Sequence, residues 1–155
     1  MTEKPLFLAR LDPLNLQLIK ELRDGRRAYK DIAVKLGITE NTVRTRVKRM
    51  IQAGILDITG LVSVDKLPYH QTVLVAVKLK TFDPFEKGEE FSKLKGVVSV
   101  NVVTGRYDLI LLVLLNENYS LRDLYIEELS RVEGIQSLET FVVFKSYKQK
   151  VPYIL

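Results

Sequence analysis

About a third of the way along the chain the apolar positions change period, from three- and four-residue spacing to short β-branched blocks. In "LDPLNLQLIKELRDG", Leu11, Leu14, Leu18, Ile19 and Leu22 fall on one helical stripe. Asp12 suits the N-cap, Pro13 the first helical position and Gly25 the exit. Tyr29, Ile32, Ala33 and Leu36 predict a second short amphipathic helix stopped by Gly37. A third starts after Thr39, turns Val43, Val47, Met50 and Ile51 inward, and ends at Gly54. Two short helices around a glycine-containing turn, braced by a first helix, make a helix-turn-helix unit. Beyond it "ILDITGLVSV" alternates weakly and predicts a small β wing or linker strand.

The stretch "KLPYHQ" at 66–71 holds a proline and no periodicity, so the domain boundary is expected there. Residues 1–65 would form the helix-turn-helix domain with its linker strand, and residues 66–155 a second domain. In the second, "TVLVAVKLK", "VVSVNVV", "DLILLVLL" and "SLETFVVFKSY" read as strands, and "DPFEKGEEFSKL" and "SLRDLYIEELSRV" as capped helices. The order β-α-β-β-α-β is the ferredoxin-like one. The fold class is therefore α+β, a winged helix-turn-helix domain followed by a ferredoxin-like domain. "LKGVVSV" at 94–100 and "VEGIQSL" at 132–138 repeat Gly, Val/Ile and Ser, which divides the second domain into two β-α-β halves. Helices on one face leave the other face of the sheet open, and its apolar strands predict cover by a second copy, at least a dimer.

Charge adds a function to this outline. The 155 residues carry a net charge of +5. Residues 1–60 hold twelve basic and seven acidic side chains and residues 61–155 hold twelve of each, so the excess lies wholly in the helical segment. A module that meets a polyanion differs from its neighbour in this way. With Val43 and Val47 inside, at ~100° per residue, the outer side of the third helix carries Asn41, Thr42, Thr45, Lys48 and Arg49. Arg44 and Arg46 lie on its flanks, and no carboxylate follows Glu40. Amide, hydroxyl and guanidinium groups read base edges and hold phosphates in a major groove, so double-stranded DNA is the expected partner. Asn41, Thr42, Thr45 and Arg49 are expected at base edges, Arg44 and Lys48 at phosphates. Arg46 either bridges back to the first helix or touches DNA, and Arg26 and Arg27 either reach a phosphate or stay solvated.

Composition removes other classes. With 46% hydrophobic and 28% charged residues, the chain reads as globular. Its longest apolar run, Leu109–Leu115, is far short of the ~20 residues that cross a bilayer. The opening "MTEKPLFLARLD" lacks the apolar stretch of a signal peptide. No cysteine is present for disulfides or thiolate metal sites, and a cytoplasmic location is expected. The eight glycines are never closer than six residues, so glycine-rich phosphate loops are absent. The one histidine, His70, lies in the linker, which leaves no nucleophile–base pair or His-rich metal site to assemble. Adjacent Glu89–Glu90 and Glu127–Glu128 diverge around their helices. No catalytic residue, cofactor or metal is expected.

Four stretches, "LDPLNLQLIKELRDGRR", "ITENTVRTRVKRMIQAGIL", "VTGRYDLILLV" and "EGIQSLETFVVFK", resemble the leucine-responsive/asparagine-regulator (Lrp/AsnC, feast/famine) family of transcriptional regulators. The resemblance covers nearly the whole chain, in the family's order of DNA-binding module, linker and amino-acid-sensing (RAM) module. It implies a homodimer built through the β modules, often assembled into tetramers, octamers or larger discs, which binds promoter sites and responds to an amino acid or related small molecule. It also implies an effector held between neighbouring dimers, against the Gly-x-x-Asp loop and a polar position of the last strand, here Gly105, Tyr107, Asp108 and Thr140.

Within "TGRYD", Gly105 would let the backbone approach a ligand, Asp108 would pair with an ammonium and Arg106 would hold a carboxylate. The competing reading makes Asp108 a cap for the loop and Tyr107 an interface residue. Leu138 stands where some relatives carry a threonine near the effector, and Asn15 replaces the usual helix-one aspartate. Two other functions share the outline. A ligand-independent protein that compacts the nucleoid would use the same helix through phosphates. Some chains of this architecture are haem-pathway decarboxylases, which a single His70 and a basic third helix oppose.

Overall fold

The structure, a computed structural model, describes residues 12–80 and 83–155. Contacts divide it into two compact units, Met1–Thr59 and Gly60–Leu155. The first holds three helices: α1 (Pro13–Glu21), α2 (Tyr29–Leu36) and α3 (Glu40–Gln52). Asp12 caps α1 by accepting the Asn15 N–H at 2.7 Å, and Pro13 opens the helix where a missing N–H costs nothing. Gly37 ends α2 at φ +66°, a left-handed conformation that favours glycine. Thr39 then caps α3, its hydroxyl accepting the Thr42 N–H at 3.1 Å. Leu18, Ile32, Ala33, Val43, Val47 and Met50 close into one core, with Ile19, Leu22, Tyr29 and Leu36 packed around it. Ile51, expected with them, is 42% exposed, because it lies ~100° past Met50 and off the stripe. Leu11, also expected on the α1 stripe, lies outside the described residues.

The second unit contains β1 (Leu61–Val62), β2 (Gln71–Leu79), α4 (Pro84–Ser92), β3 (Val97–Val102), β4 (Leu109–Leu115), α5 (residues 121–131), β5 (Ile135–Val142) and β6 (Val151–Pro152). Four strands make an antiparallel sheet in the order β3-β4-β2-β5, the ferredoxin-like arrangement. Alternation sends Val73, Val75, Val77 and Leu79 of β2 and Leu109, Leu111 and Val113 of β4 to one face. There they bury against Phe91 of α4 and Leu124 and Leu129 of α5. The repeated glycines act alike. Gly96 (φ +76°) and Gly134 (φ +83°) turn each helix into its strand, and their carbonyls accept Leu114 N–H at 2.7 Å and Lys80 N–H at 2.9 Å.

Two elements differ from the sequence expectation. Of the two readings open after α3, wing or linker strand, the described residues show a short strand that belongs to the second unit and no wing on the first. Leu61–Val62 pairs antiparallel with Val151–Pro152, and Val64 packs with Leu114 and Val151 on the far face of the sheet. No regular strand lies beside it in sequence, so the short strand takes its partner from the other end of the unit. The second helix of the repeat, α5, is also irregular. It starts at Leu121–Asp123 with a reciprocal Ser120–Asp123 capping box, widens into a π turn at Leu124–Glu128, and tightens into a 3-10 turn at Leu129–Arg131. Leu124 and Leu129 are both buried in the same core, yet five residues apart in a regular helix they would diverge by ~140°. The wide turn, closed by Leu129 N–H on the Leu124 carbonyl, brings them to one side.

Candidate nucleic-acid interface and ligand cleft

Helix α3 has a buried edge of Val43, Val47 and Met50. On the opposite side Asn41, Thr45, Lys48 and Arg49 are all exposed, as is Arg44 on the flank. Thr42 is half-buried at the first turn, where its hydroxyl shares a hydrogen bond with Thr39 Oγ1 at 2.8 Å. Arg44 Nη2 donates to Glu40 at 2.7 Å, and its guanidinium lies 5.5 Å from the Tyr29 ring centre. Both contacts hold the Arg44 head beside the start of the helix. Lys48 and Arg49 have no ion-pair partner among the described residues.

Of the two readings open for Arg46, the structure takes the inward one. Arg46 Nη1 donates to Asp12 Oδ2 at 2.5 Å and to Asn15 Oδ1 at 3.0 Å, which ties α3 to the start of α1. The Arg46 bond, followed by the Asn15 amide, holds the Asp12 carboxyl below its ordinary pKa. Asn15 is therefore more than a departure in sequence, since its buried amide serves as second acceptor for Arg46. Arg27 pairs with Glu21, which also meets Lys35 at 2.7 Å, so Arg27 is tied to α1.

In the second unit, the loop Thr104–Asp108 closes by two backbone bonds at 2.9 Å, Val103 N–H to the Asp108 carbonyl and Asp108 N–H to the Val77 carbonyl. The Asp108 carboxylate accepts Leu79 N–H at 2.8 Å and Lys78 Nζ at 3.0 Å. The Leu79 amide and then the Lys78 ammonium hold its pKa below the ordinary value, and the same two contacts fasten the loop to β2. Gly105 takes φ +118°, with open space where a side chain would begin. The Arg106 guanidinium lies 5.3 Å from the Tyr107 ring centre.

Beside this loop is a cleft of about 370 Å³ lined by Lys78, Arg106, Tyr107, Ser137, Leu138 and Glu139. Of the residues expected around an effector, Arg106 and Tyr107 line it, whereas Gly105 and Asp108 build the loop behind them. Thr140 is turned to the helical face, since it pairs with Val75, and its hydroxyl meets Tyr125 Oη of α5 at 2.7 Å. The sequence reading missed Lys78, Ser137 and Glu139 as cleft residues. Strand register brings them there, with Lys78 opposite Ser137 and Ala76 opposite Glu139. The available signal was the one charged residue in the strand stretch "SLETFVV". No group of His, Asp and Glu side chains able to hold a metal occurs among the described residues. Nor is any described helix long and apolar enough to cross a membrane.

Comparison with known proteins adds to this geometry. A model of the AsnC-type helix-turn-helix domain matches residues 11–51, and one of the Lrp/AsnC ligand binding domain matches residues 72–153. A relative in Pyrococcus furiosus, named as an uncharacterized HTH-type transcriptional regulator, is 33% identical over 135 residues, covering 86% of this chain and 91% of its own. The structure of E. coli AsnC superposes with TM-score 0.66 at 26% identity, covering 88% of this chain and 94% of that one. A Neisseria meningitidis transcriptional regulator solved with L-Met shares the fold, with TM-score 0.67 at 18% identity over 94% of this chain and 96% of that one.

Proposed function

Because the chain belongs to the Lrp/AsnC family of transcriptional regulators, we propose that it is a non-enzymatic, cytoplasmic regulator that reads operator DNA with α3 and is modulated by an amino acid or related metabolite in the cleft of the second unit. The observation that carries the DNA half is the division of labour on α3. Its inward guanidinium, Arg46, is tied to Asp12 and Asn15, while Lys48 and Arg49 point out beside the exposed Asn41 and Thr45. In this reading Asn41, Thr45 and Arg49 meet base edges, and Thr42 joins them from the first turn. Arg44 and Lys48 meet phosphates. For the ligand half, the support is a cleft lined by charged and hydroxyl groups beside the Thr104–Asp108 loop, together with the L-Met bound by the Neisseria relative. Gly105, Arg106, Tyr107 and Asp108 form its wall and frame. Thr140, expected beside the effector, faces the helices instead, where its hydroxyl meets Tyr125.

The working unit in this reading is a homodimer, with tetramers or octamers built from it. On the face of the sheet away from α4 and α5, Phe141 is 46% exposed, and beyond the strand Phe144 is 99% exposed. Such a surface is suited to cover by a second copy. The test is to select bound sequences from random duplex DNA, then compare variants on the selected site and on random DNA. Arg49→Ala should weaken the selected site by about 1–3 kcal/mol and relax its sequence preference, while Arg44→Ala or Lys48→Ala weakens both DNAs alike. Selection of no common sequence, with all variants acting equally, overturns sequence-specific reading and favours nucleoid compaction.

A further inference from the structure

The charges lining the cleft leave a specific remainder. Lys78, Arg106 and Glu139 are the ionisable groups of opposite sign on its wall, beside the Tyr107 phenol. By strand register Lys78 is the diagonal neighbour of Glu139 across the β2–β5 pair, close enough in general for a long side chain to reach. It does not do so, because Asp108 holds its ammonium at 3.0 Å. Arg106 makes no ion pair among the described residues and rests against the Tyr107 ring. Glu139 makes none either, and the residue paired with it on β2 is Ala76, whose methyl fills little of the space beside the carboxylate. One free guanidinium and one half-buried carboxylate therefore face the same cleft without closing on each other.

Resting on the proposed effector role of this cleft, we infer that Glu139 is its specificity-determining residue. It selects a ligand that carries an ammonium group as well as a carboxylate, an α-amino acid in its zwitterionic form, against the corresponding 2-oxo acid. Arg106 takes the carboxylate through its planar fork of donors, and Glu139 accepts from the ammonium. Ser137, exposed on the same wall, offers a hydroxyl to either group. An anion without the ammonium would leave Glu139 both unpaired and repelled, which is how a site rejects a near-isostere. Asp108 acts at a distance as a positioning residue. By retaining Lys78 it keeps the carboxylate of Glu139 available.

The test is a thermal-shift and calorimetric screen of the full chain against the twenty amino acids, followed by the 2-oxo acid and the amide of whichever stabilises it most. At least one amino acid should bind, with its 2-oxo acid and its amide each weaker by about 10-fold or more. Glu139→Gln should erase the preference over the 2-oxo acid, and Arg106→Gln the preference over the amide. Both positions are at least partly exposed, so unchanged far-UV circular dichroism should accompany these shifts. A 2-oxo acid that binds as tightly as the amino acid, or an amino-acid affinity untouched by Glu139→Gln, overturns the inference and leaves the cleft standing as the effector site. Binding that none of the Arg106, Tyr107 and Glu139 variants alters moves the site elsewhere, and absence of binding by every compound removes both readings.

Discussion

The outer face of α3 and the cleft beside Thr104–Asp108 are made by the same device and end with different charge. In each, one carboxylate is committed to the frame: Asp12 to Arg46 in the first unit, Asp108 to Leu79 N–H and Lys78 in the second. Each ion pair fixes an element and, by occupying one charge, decides which others stay free. On α3 the remainder is of one sign, Lys48 and Arg49 with exposed amide and hydroxyl neighbours. In the cleft the remainder is of both signs, Arg106 and Glu139. A surface of one sign suits a polymer of phosphates, and a pair of opposite signs suits a small molecule that carries both.

The comparison fails most severely if the loop serves only to turn the chain, and glycine substitutions decide that. Gly96→Ala should cost about 3 kcal/mol or more in urea denaturation, since φ is +76° and the added methyl would stand 2.7 Å from the Leu114 carbonyl oxygen. Gly105→Ala, with only backbone strain and no neighbour, should cost about 1–2 kcal/mol. Equal losses would make the loop part of the scaffold and no more.

Salt separates the two regions next. Raising it from about 50 to 200 mM should weaken DNA binding about 100-fold if two copies make four phosphate contacts. Amino-acid affinity, which depends on one charge of each sign at short range, should change by about 3-fold or less. A steep salt dependence in the cleft would mean that its ligand is a simple anion.

The smallest effect is the acid response. Both Asp12 and Asp108 have folded pKa values below the unfolded carboxylate value of about 3.9, so their stabilisation is complete above that value and is lost as pH falls through the lowered one. Stability should be flat between pH 7 and 5 on this account and decline only below about pH 4. Arg46→Met should remove most of the first unit's share, because Arg46 is the larger cause at Asp12. Lys78→Met should remove less of the second's, because the Leu79 amide, which remains, is the larger cause at Asp108. A stronger response to Lys78→Met than to Arg46→Met would reverse the assignment.

Legibility in the sequence followed the range of the interaction. Caps, helical stripes and the Gly96/Gly134 echo depend on neighbours within a few residues, and each can be read from spacing. The outward face of α3 was legible for the same reason, since one helix carries all of it. Pairing of Leu61–Val62 with Val151–Pro152 joins segments at opposite ends of a unit, and two residues carry too little pattern to announce a partner. The π turn of α5 is an answer to where Leu124 and Leu129 must point, which depends on the sheet beneath. Glu139 entered the cleft through the β2–β5 register, and a slip of one residue would have turned it to the helices, as Thr140 is.

The sheet order β3-β4-β2-β5 has a further consequence. Exchanging the two β-α-β halves, β2 for β4 and β3 for β5, returns the same order read backwards. Two copies of an ancestral half would thus build the sheet unaided, each supplying a glycine turn like those at Gly96 and Gly134. One segment has no counterpart under that exchange: the join between halves, Thr104–Asp108. A substitution in one half can thus be checked against the matching position of the other, whereas one in the join has no such internal control.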